Sequence, residues 1–179
     1  IMLMDEGLDT GPVLARKAIG IQPEETAGEL ADRLAVLGAT ALMHTLPRWL
    51  ARGIAPEPQA NAQSTMTRPL RKDDGRLDWQ QPALQLERAV RAYTPWPGAF
   101  TTWEGRQLKV RRAHALTDPL GHAPGECFTF VDGRATVLAC ACDQSALALD
   151  VIQLEGKRAL PSEEMLRGYP ALASAQLGT

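Results

Sequence analysis

The sequence predicts two pieces of unlike class, an α/β segment followed by a small β-barrel. Three observations carry this. Residues 1–53 combine an apolar run, a glycine-bearing loop and one long apolar stripe at helical spacing. Residues 54–65 lack periodicity and carry two prolines, the mark of a linker and a domain boundary. From residue 66 on, about five short strand-like stretches are separated by tight-turn signals.

Ile1–Met4 is apolar and reads as a buried strand. Asp5-Glu6-Gly7-Leu8-Asp9-Thr10-Gly11 is a loop with two glycines, and Val13 to Ile21 reads as extended. Thr26 and Glu29 have the spacing of a capping box, so a helix starts there. Leu30, Leu34, Leu37 and Ala41 form its apolar stripe. Pro47 is expected to kink or end the helix, because it has no amide to donate, and Gly53 is a natural stop.

Beyond the linker, Pro82–Ala92 predicts a short helix with Leu86 and Val90 on one face. The run Tyr93-Thr94-Pro95-Trp96-Pro97-Gly98 must break it. Strands are expected at Ala99–Trp103, Gln107–Ala115, Glu126–Val131, Ala135–Cys142 and Ala146–Leu154. Glu104-Gly105 and Asp132-Gly133 are turn signals. A closing helix starts at Ser162, and the tail Ala171–Thr179 is expected to fray.

Composition excludes several classes. The 179 residues are 45 % hydrophobic and 22 % charged, ordinary for a globular chain. No apolar run reaches the roughly 18–20 residues of a membrane span. Three cysteines argue against a disulfide framework and fit a reducing compartment. The net charge of −2 conceals a pattern. Residues 61–120 hold 10 basic and 6 acidic side chains, whereas the segments on either side are acidic.

Four groups of residues bear on chemistry. Asp9 stands in a glycine-flanked loop just after a strand, where a carboxylate could orient a histidine, hold a water or move a proton. Read alone, an aspartate between glycines is more often a turn-former. Arg68, Arg71 and Lys72 cluster past the linker, and Lys109 and Arg111 share a strand face by alternation. Together they could neutralise phosphates, or they could serve solubility and pair with Asp73, Asp74 and Asp78. Trp79, Tyr93, Trp96, Phe100 and Trp103 favour a small core over base stacking. Cys140-Ala141-Cys142 has no second ligand pair, so a zinc site is not expected, and no catalytic triad, Walker loop or dinucleotide fingerprint is present.

Three motifs in order give a resemblance. Ile1-Met2-Leu3-Met4-Asp5-Glu6-Gly7-Leu8-Asp9-Thr10-Gly11-Pro12 resembles the signature of the folate-dependent formyltransferases. Asp73-Asp74-Gly75-Arg76-Leu77-Asp78-Trp79 and Arg91-Ala92-Tyr93-Thr94-Pro95-Trp96-Pro97-Gly98-Ala99 resemble the start of the C-terminal domain of the methionyl-tRNA formyltransferase family. The helix opening at Glu25 and the run Gly156-Lys157-Arg158 also fit.

The resemblance implies the C-terminal part of a parallel-sheet α/β formyltransferase domain at 1–53, a linker at 54–65, and an OB-like barrel domain at 66–179. It implies formyl transfer from 10-formyltetrahydrofolate to the amino group of methionyl initiator tRNA, with no metal. Of the family's Asn, His and Asp, only the Asp matches, at Asp9; the other two are expected before Ile1. The chain alone is therefore expected to be inactive, to expose sheet edges and to bind tRNA weakly. Arg68, Arg71 and Lys72 lie where the family keeps basic residues facing the tRNA, and Lys109 and Arg111, placed on one strand face by alternation, are expected to extend that tRNA-binding surface. A cytoplasmic protein, monomeric when full-length, is the expectation. Rival readings are a formyltransferase acting on an amino sugar-nucleotide and a noncatalytic tRNA-binding module.

Overall fold

The computed structural model describes residues 1–117, 121–132 and 135–178. The chain divides into two compact units, Ile1–Pro69 and Leu70–Thr179.

The first unit is built on one helix, α1 (Ala27–Leu50). Its capping box forms as the spacing predicts: Glu29 N donates to Thr26 Oγ1 at 3.3 Å, and Thr26 N donates to Glu29 Oε2 at 2.9 Å. Those two bonds from Thr26, backbone first, hold the Glu29 carboxyl below its ordinary range. Ahead of the cap, the Arg33 guanidinium meets Glu25 at 2.5 Å and lowers that carboxyl too, helped by the Gln22 amide.

Pro47 neither kinks nor ends the helix, which continues to Leu50. It sits in the final turn, so little of the backbone ladder remains to be disturbed. The stop comes from the backbone beyond it. Arg52 takes φ +57°, Arg52 N donates to Trp49 O, and Gly53 N donates to Arg48 O at 2.8 Å. This is a Schellman closure with an arginine, not a glycine, in the left-handed position. The apolar stripe is only partly covered: Ala41 is buried, while Leu34 and neighbouring Met43 and Leu46 are exposed.

The expected strands at the start of the chain do not form. Met4 is 92 % exposed, and pairing is confined to single bridges, Met2 with Val13 and Val13 with Glu57, both antiparallel. Ile21 lies exposed beyond them. Among the described residues, this unit contains no parallel sheet. The backbone bonds here, such as Leu3 N to Pro12 O and Leu14 N to Ile1 O, close isolated bridges, and a strand needs a run of pairs to bury its apolar side.

The second unit is a mostly antiparallel sheet with helices packed on it. Its elements are α2 (Ala83–Ala92), β1 (Ala99–Trp103), β2 (Arg106–Leu116), β3 (Cys127–Asp132), β4 (Ala135–Cys142), β5 (Ser145–Leu154), β6 (Leu160–Pro161) and α3 (Ser162–Gly168). The order is β1-β2-β5-β4-β3, with β6 added beside β5. The β1–β2 turn at Glu104-Gly105 has both residues at positive φ, which a two-residue hairpin requires. Gln144 takes positive φ in the β4–β5 turn. Of the predicted Asp132-Gly133 turn, Asp132 ends β3 and Gly133 lies outside the described residues.

Leu108, Val110, Leu147, Leu149, Ile152 and Leu154 of β2 and β5 enter one core, β5 changing phase between Leu149 and Ile152 where the β2–β5 register shifts, and Leu86 and Val90 of α2 and Met165 of α3 complete it. Two side chains pin α2 to the sheet. Ser145 Oγ accepts from Ala83 N, and Glu87 Oε2 accepts from Ala115 N, both at 2.9 Å. Trp79, Phe100 and Trp103 are buried as core; Trp96 is 58 % exposed.

The sheet does not close by pairing β1 with β3. The tail, expected to fray, is ordered instead. Residues Pro170–Ser174 form a 3₁₀ turn and Leu172 and Leu177 are buried. Ala175 O accepts from Cys127 N, Leu177 N donates to Gly125 O, and Gly178 N donates to Thr102 O at 2.9 Å. One strap thus reaches both edges of the sheet. Burial of two leucines outweighs the entropy that would have freed it.

The three cysteines are free and buried, with Cys127 opposite Cys140 in the β3–β4 register. Burial pushes the Cys142 thiol up to about 12, and burial with the Cys127 hydrogen bond pushes Cys140 up as well. At pH 8 about one Cys142 thiol in ten thousand is then ionised. Thiol-specific reagents should leave Cys140 and Cys142 unmodified in the folded protein and label them on unfolding; rapid native labelling would contradict this packing. Leu147→Ala should cost about 2–5 kcal/mol in urea unfolding, and a cost below about 1 kcal/mol would show that this site is not core.

Candidate functional site

Asp9 lies in the first unit, on the loop between the Met2 and Val13 bridges. Its backbone takes φ +55°, a left-handed conformation that few residues other than glycine, asparagine and aspartate enter. The loop is held by three devices. Asp5 Oδ1 accepts from Gly7 N at 3.1 Å and Thr10 Oγ1 at 2.6 Å. Gly11 is buried against the backbone, where an added Cβ would stand 1.7 Å from Leu3 O. Gln59 Nε2 donates to Asp9 O at 2.8 Å and Gly11 O at 2.7 Å.

These devices divide the labour between the loop's two aspartates. The Asp5 carboxylate is spent on the loop's own amide and hydroxyl. The Asp9 carboxylate is exposed and, among the described residues, has no hydrogen-bond or ion-pair partner. It faces solvent as an acceptor-only group, able to hold an N–H donor or to take a proton. Beside it opens a polar recess of about 490 Å³ whose walls include Leu8, Thr10, Arg16, Gln59 and Thr67. Arg16 is paired across that recess with Glu57 at 2.7 Å.

The predicted cations are distributed over both units. Arg68 belongs to the first, where its Nη1 donates to Pro69 O at 3.1 Å. Arg71 and Lys72 open the second at a 3₁₀ turn, Lys72–Gly75, and both are exposed. The Asp74 carboxylate accepts from the Arg71 amide at 2.7 Å. Lys109 and Arg111 do share the outer face of β2, opposite Leu108 and Val110. They flank Gln153 of β5: Lys109 is its register partner, and Arg111 Nη2 donates to its Oε1 at 2.6 Å. A bulge at Arg112 breaks the alternation there. Next to Lys109 in the register stands Phe100, with the Arg76 guanidinium 5.6 Å above its ring.

Two pairings were not visible in the sequence. His114 Nδ1 meets Asp150 Oδ1 at 3.0 Å, across the β2–β5 ladder. Gln59 reaches a loop some fifty residues earlier. No periodicity or motif marks either one. Among the described residues, no group of histidine, cysteine and carboxylate side chains is placed to hold a metal ion.

Residues 69–170 match the family described as formyl transferase, C-terminal domain, and residues 1–46 match the formyl transferase family of the preceding domain. A methionyl-tRNA formyltransferase of Myxococcus xanthus is 43 % identical over 98 % of the chain and 55 % of that relative. One from an Anaeromyxobacter species is 45 % identical over 94 % of the chain and 54 % of the relative. The chain thus spans about half the length of the curated relatives it matches. Among solved structures, HypX from Aquifex aeolicus in complex with tetrahydrofolic acid shares the fold, with a TM-score of 0.65 at 19 % identity. That likeness covers 92 % of this chain and 29 % of HypX.

Gly11→Ala should force the Leu3 carbonyl aside and open the bridge that carries the Asp9 loop. Hydrogen exchange at the Leu3 and Leu14 amides is expected to quicken on the order of tenfold or more, with the second unit's amides unchanged. Unaltered exchange would mean that the close approach at Gly11 does not hold the loop.

Proposed function

Because the chain belongs to the formyl transferase family, we propose that it takes part in moving a formyl group from 10-formyltetrahydrofolate to the amino group of methionyl initiator tRNA. The observation that carries the reading is the Asp9 carboxylate. Among the described residues it has no hydrogen-bond or ion-pair partner, and it stands on a loop that three separate contacts hold at a left-handed Asp9 backbone. The names of the sequence relatives support the acceptor.

The residues present fit one side of a folate-type donor. An unpartnered carboxylate suits a ring N–H donor, and exposed Leu8 and Thr10 beside it offer an apolar and a polar contact. When bound, that donor supplies the formyl carbon. Asp9 does the rest of this chain's share. Its Oδ atoms hold the imidazolium of the family's catalytic histidine in position and accept a proton as the amine is neutralised. No metal is needed for these steps.

Arg68, Arg71, Lys72, Lys109 and Arg111 are the proposed tRNA-facing cations. Their support is exposure at the first unit's end and second unit's start, and a shared outer face on β2. The second unit is read as an OB-like barrel in which the strap stands in for the missing edge pairing. Residues 1–53 are read as part of the catalytic domain, 54–65 as linker and 66–179 as the barrel domain. A cytoplasmic location is supported by three free thiols. Among the described residues no helix is long and apolar enough to cross a membrane. The monomeric state rests on the resemblance.

Formylation assays on the complete gene product test this. Asp9→Asn should lower kcat on the order of 10²-fold or more with the fold intact. Near-wild-type turnover would remove Asp9 from the chemistry and favour a noncatalytic tRNA-binding module. A wild-type protein that formylates an amino sugar-nucleotide but not methionyl-tRNA would replace the acceptor. Separately, Lys72→Ala should weaken tRNA binding and reduce the log–log salt slope by about one. An unchanged slope would take Lys72 out of the interface.

A further inference from the structure

We infer that Gln59 is a positioning residue for Asp9: its side-chain amide, carried on the stretch read as linker, fixes the loop that aims the Asp9 carboxylate. This rests on the proposed catalytic role of Asp9.

Both hydrogens of the Gln59 amide are used, one on Asp9 O at 2.8 Å and one on Gly11 O at 2.7 Å. Both partners are carbonyl oxygens, so the amide can face them only with its nitrogen. One group therefore clamps two carbonyls on either side of Thr10, and one of them is the carbonyl of Asp9 itself. A residue held at φ +55° relaxes when its restraints are lost, and its side chain swings with its backbone. Asp5 restrains the loop from within; Gln59 restrains it from a distant part of the chain.

The clamp is itself anchored. Glu57 exchanges backbone hydrogen bonds with Val13 at 2.8 and 2.9 Å, and its carboxylate meets Arg16 at 2.7 Å. In an extended segment, residues two apart share a side, so anchoring Glu57 directs Gln59 to the loop. Gln59 is half-buried while Glu57, Pro58 and Ala60 are exposed. Among the described residues, hydrogen bonds tie the segment to the loop through this side chain and to the neighbouring bridge at Val13. What moves the linker therefore moves Asp9.

The test uses the complete gene product with Gln59→Glu, Gln59→Ala, Asp9→Asn and the Gln59→Glu/Asp9→Asn double variant. Gln59→Glu removes both donors and sets a carboxylate against two carbonyl oxygens at nearly constant volume. Gln59→Ala keeps the test open should the added charge unfold the loop. Both variants should lower kcat about tenfold while the KM values for donor and acceptor stay within about twofold, the signature of an effect on the transition state. The double variant should be no slower than Asp9→Asn, because a residue acting through Asp9 has nothing left to position. Thermal unfolding should show the Gln59 effect undiminished in the Asp9→Asn background, which separates holding the fold from aiming the carboxylate.

Three results overturn the inference: wild-type kcat in both Gln59 variants, a loss confined to KM, or a loss that adds in full to that of Asp9→Asn. In each of these Asp9→Asn keeps its large but measurable loss of kcat and the catalytic reading stands. Full activity in Asp9→Asn would instead remove that reading, and the role of Gln59 with it.

Discussion

The pairing of β2 with β5 is the constraint on which the second unit depends. It runs from Leu108 opposite Leu154 to Leu116 opposite Ala146. Every other strand attaches to it directly or through one intermediate: β1 to β2, β4 and β6 to β5, and β3 through β4. The same ladder sets the register that sends leucines inward and leaves Lys109, Arg111 and Gln153 outside. Core and candidate RNA face are two sides of one pairing. A slip by one residue would exchange them, so burial of the leucines also fixes where the positive charge stands.

The first unit is organised by a different kind of force. It lacks a comparable ladder and core, and much of the apolar side of α1 is open. Its Asp9 loop is kept in shape by polar contacts: an aspartate turned back on its own loop, a glycine packed on a carbonyl and a glutamine from far along the chain. Such ties are individually worth about a kcal/mol. They are strong enough to choose one loop conformation and weak enough to let it respond to what binds nearby.

This difference decides what the sequence showed. Strands β1 to β5 and the helix face of Leu86 and Val90 were legible because apolar periodicity and turn residues are local signals. So was the Thr26 capping box. The short β6 strand carries too few residues to show a period. The strap was missed because its two leucines are buried by partners far back in the chain. The opening apolar run misled for the converse reason: it has strand character, but its backbone bonds gather around a single bridge pair, Met2 with Val13, instead of a ladder. In the site, Asp9 stood out through its glycine-flanked loop. Gln59, which ties down the Asp9 loop, and the separate His114–Asp150 pair of the second unit depend on separations of some tens of residues that no motif spans.

The strap at Ala175–Gly178 also has a meaning in time. It follows every strand in chain order, so the amide and carbonyl rows at Gly125, Cys127 and Thr102 stay bare until it arrives. During synthesis the sheet can assemble from β1 to β5 with both rims still able to pair with another chain. The strap is therefore the last closure of the fold. Until Leu177 docks, those two rims are open edges that another chain could pair with, and the strap's bonds at Gly125, Cys127 and Thr102 are what close them.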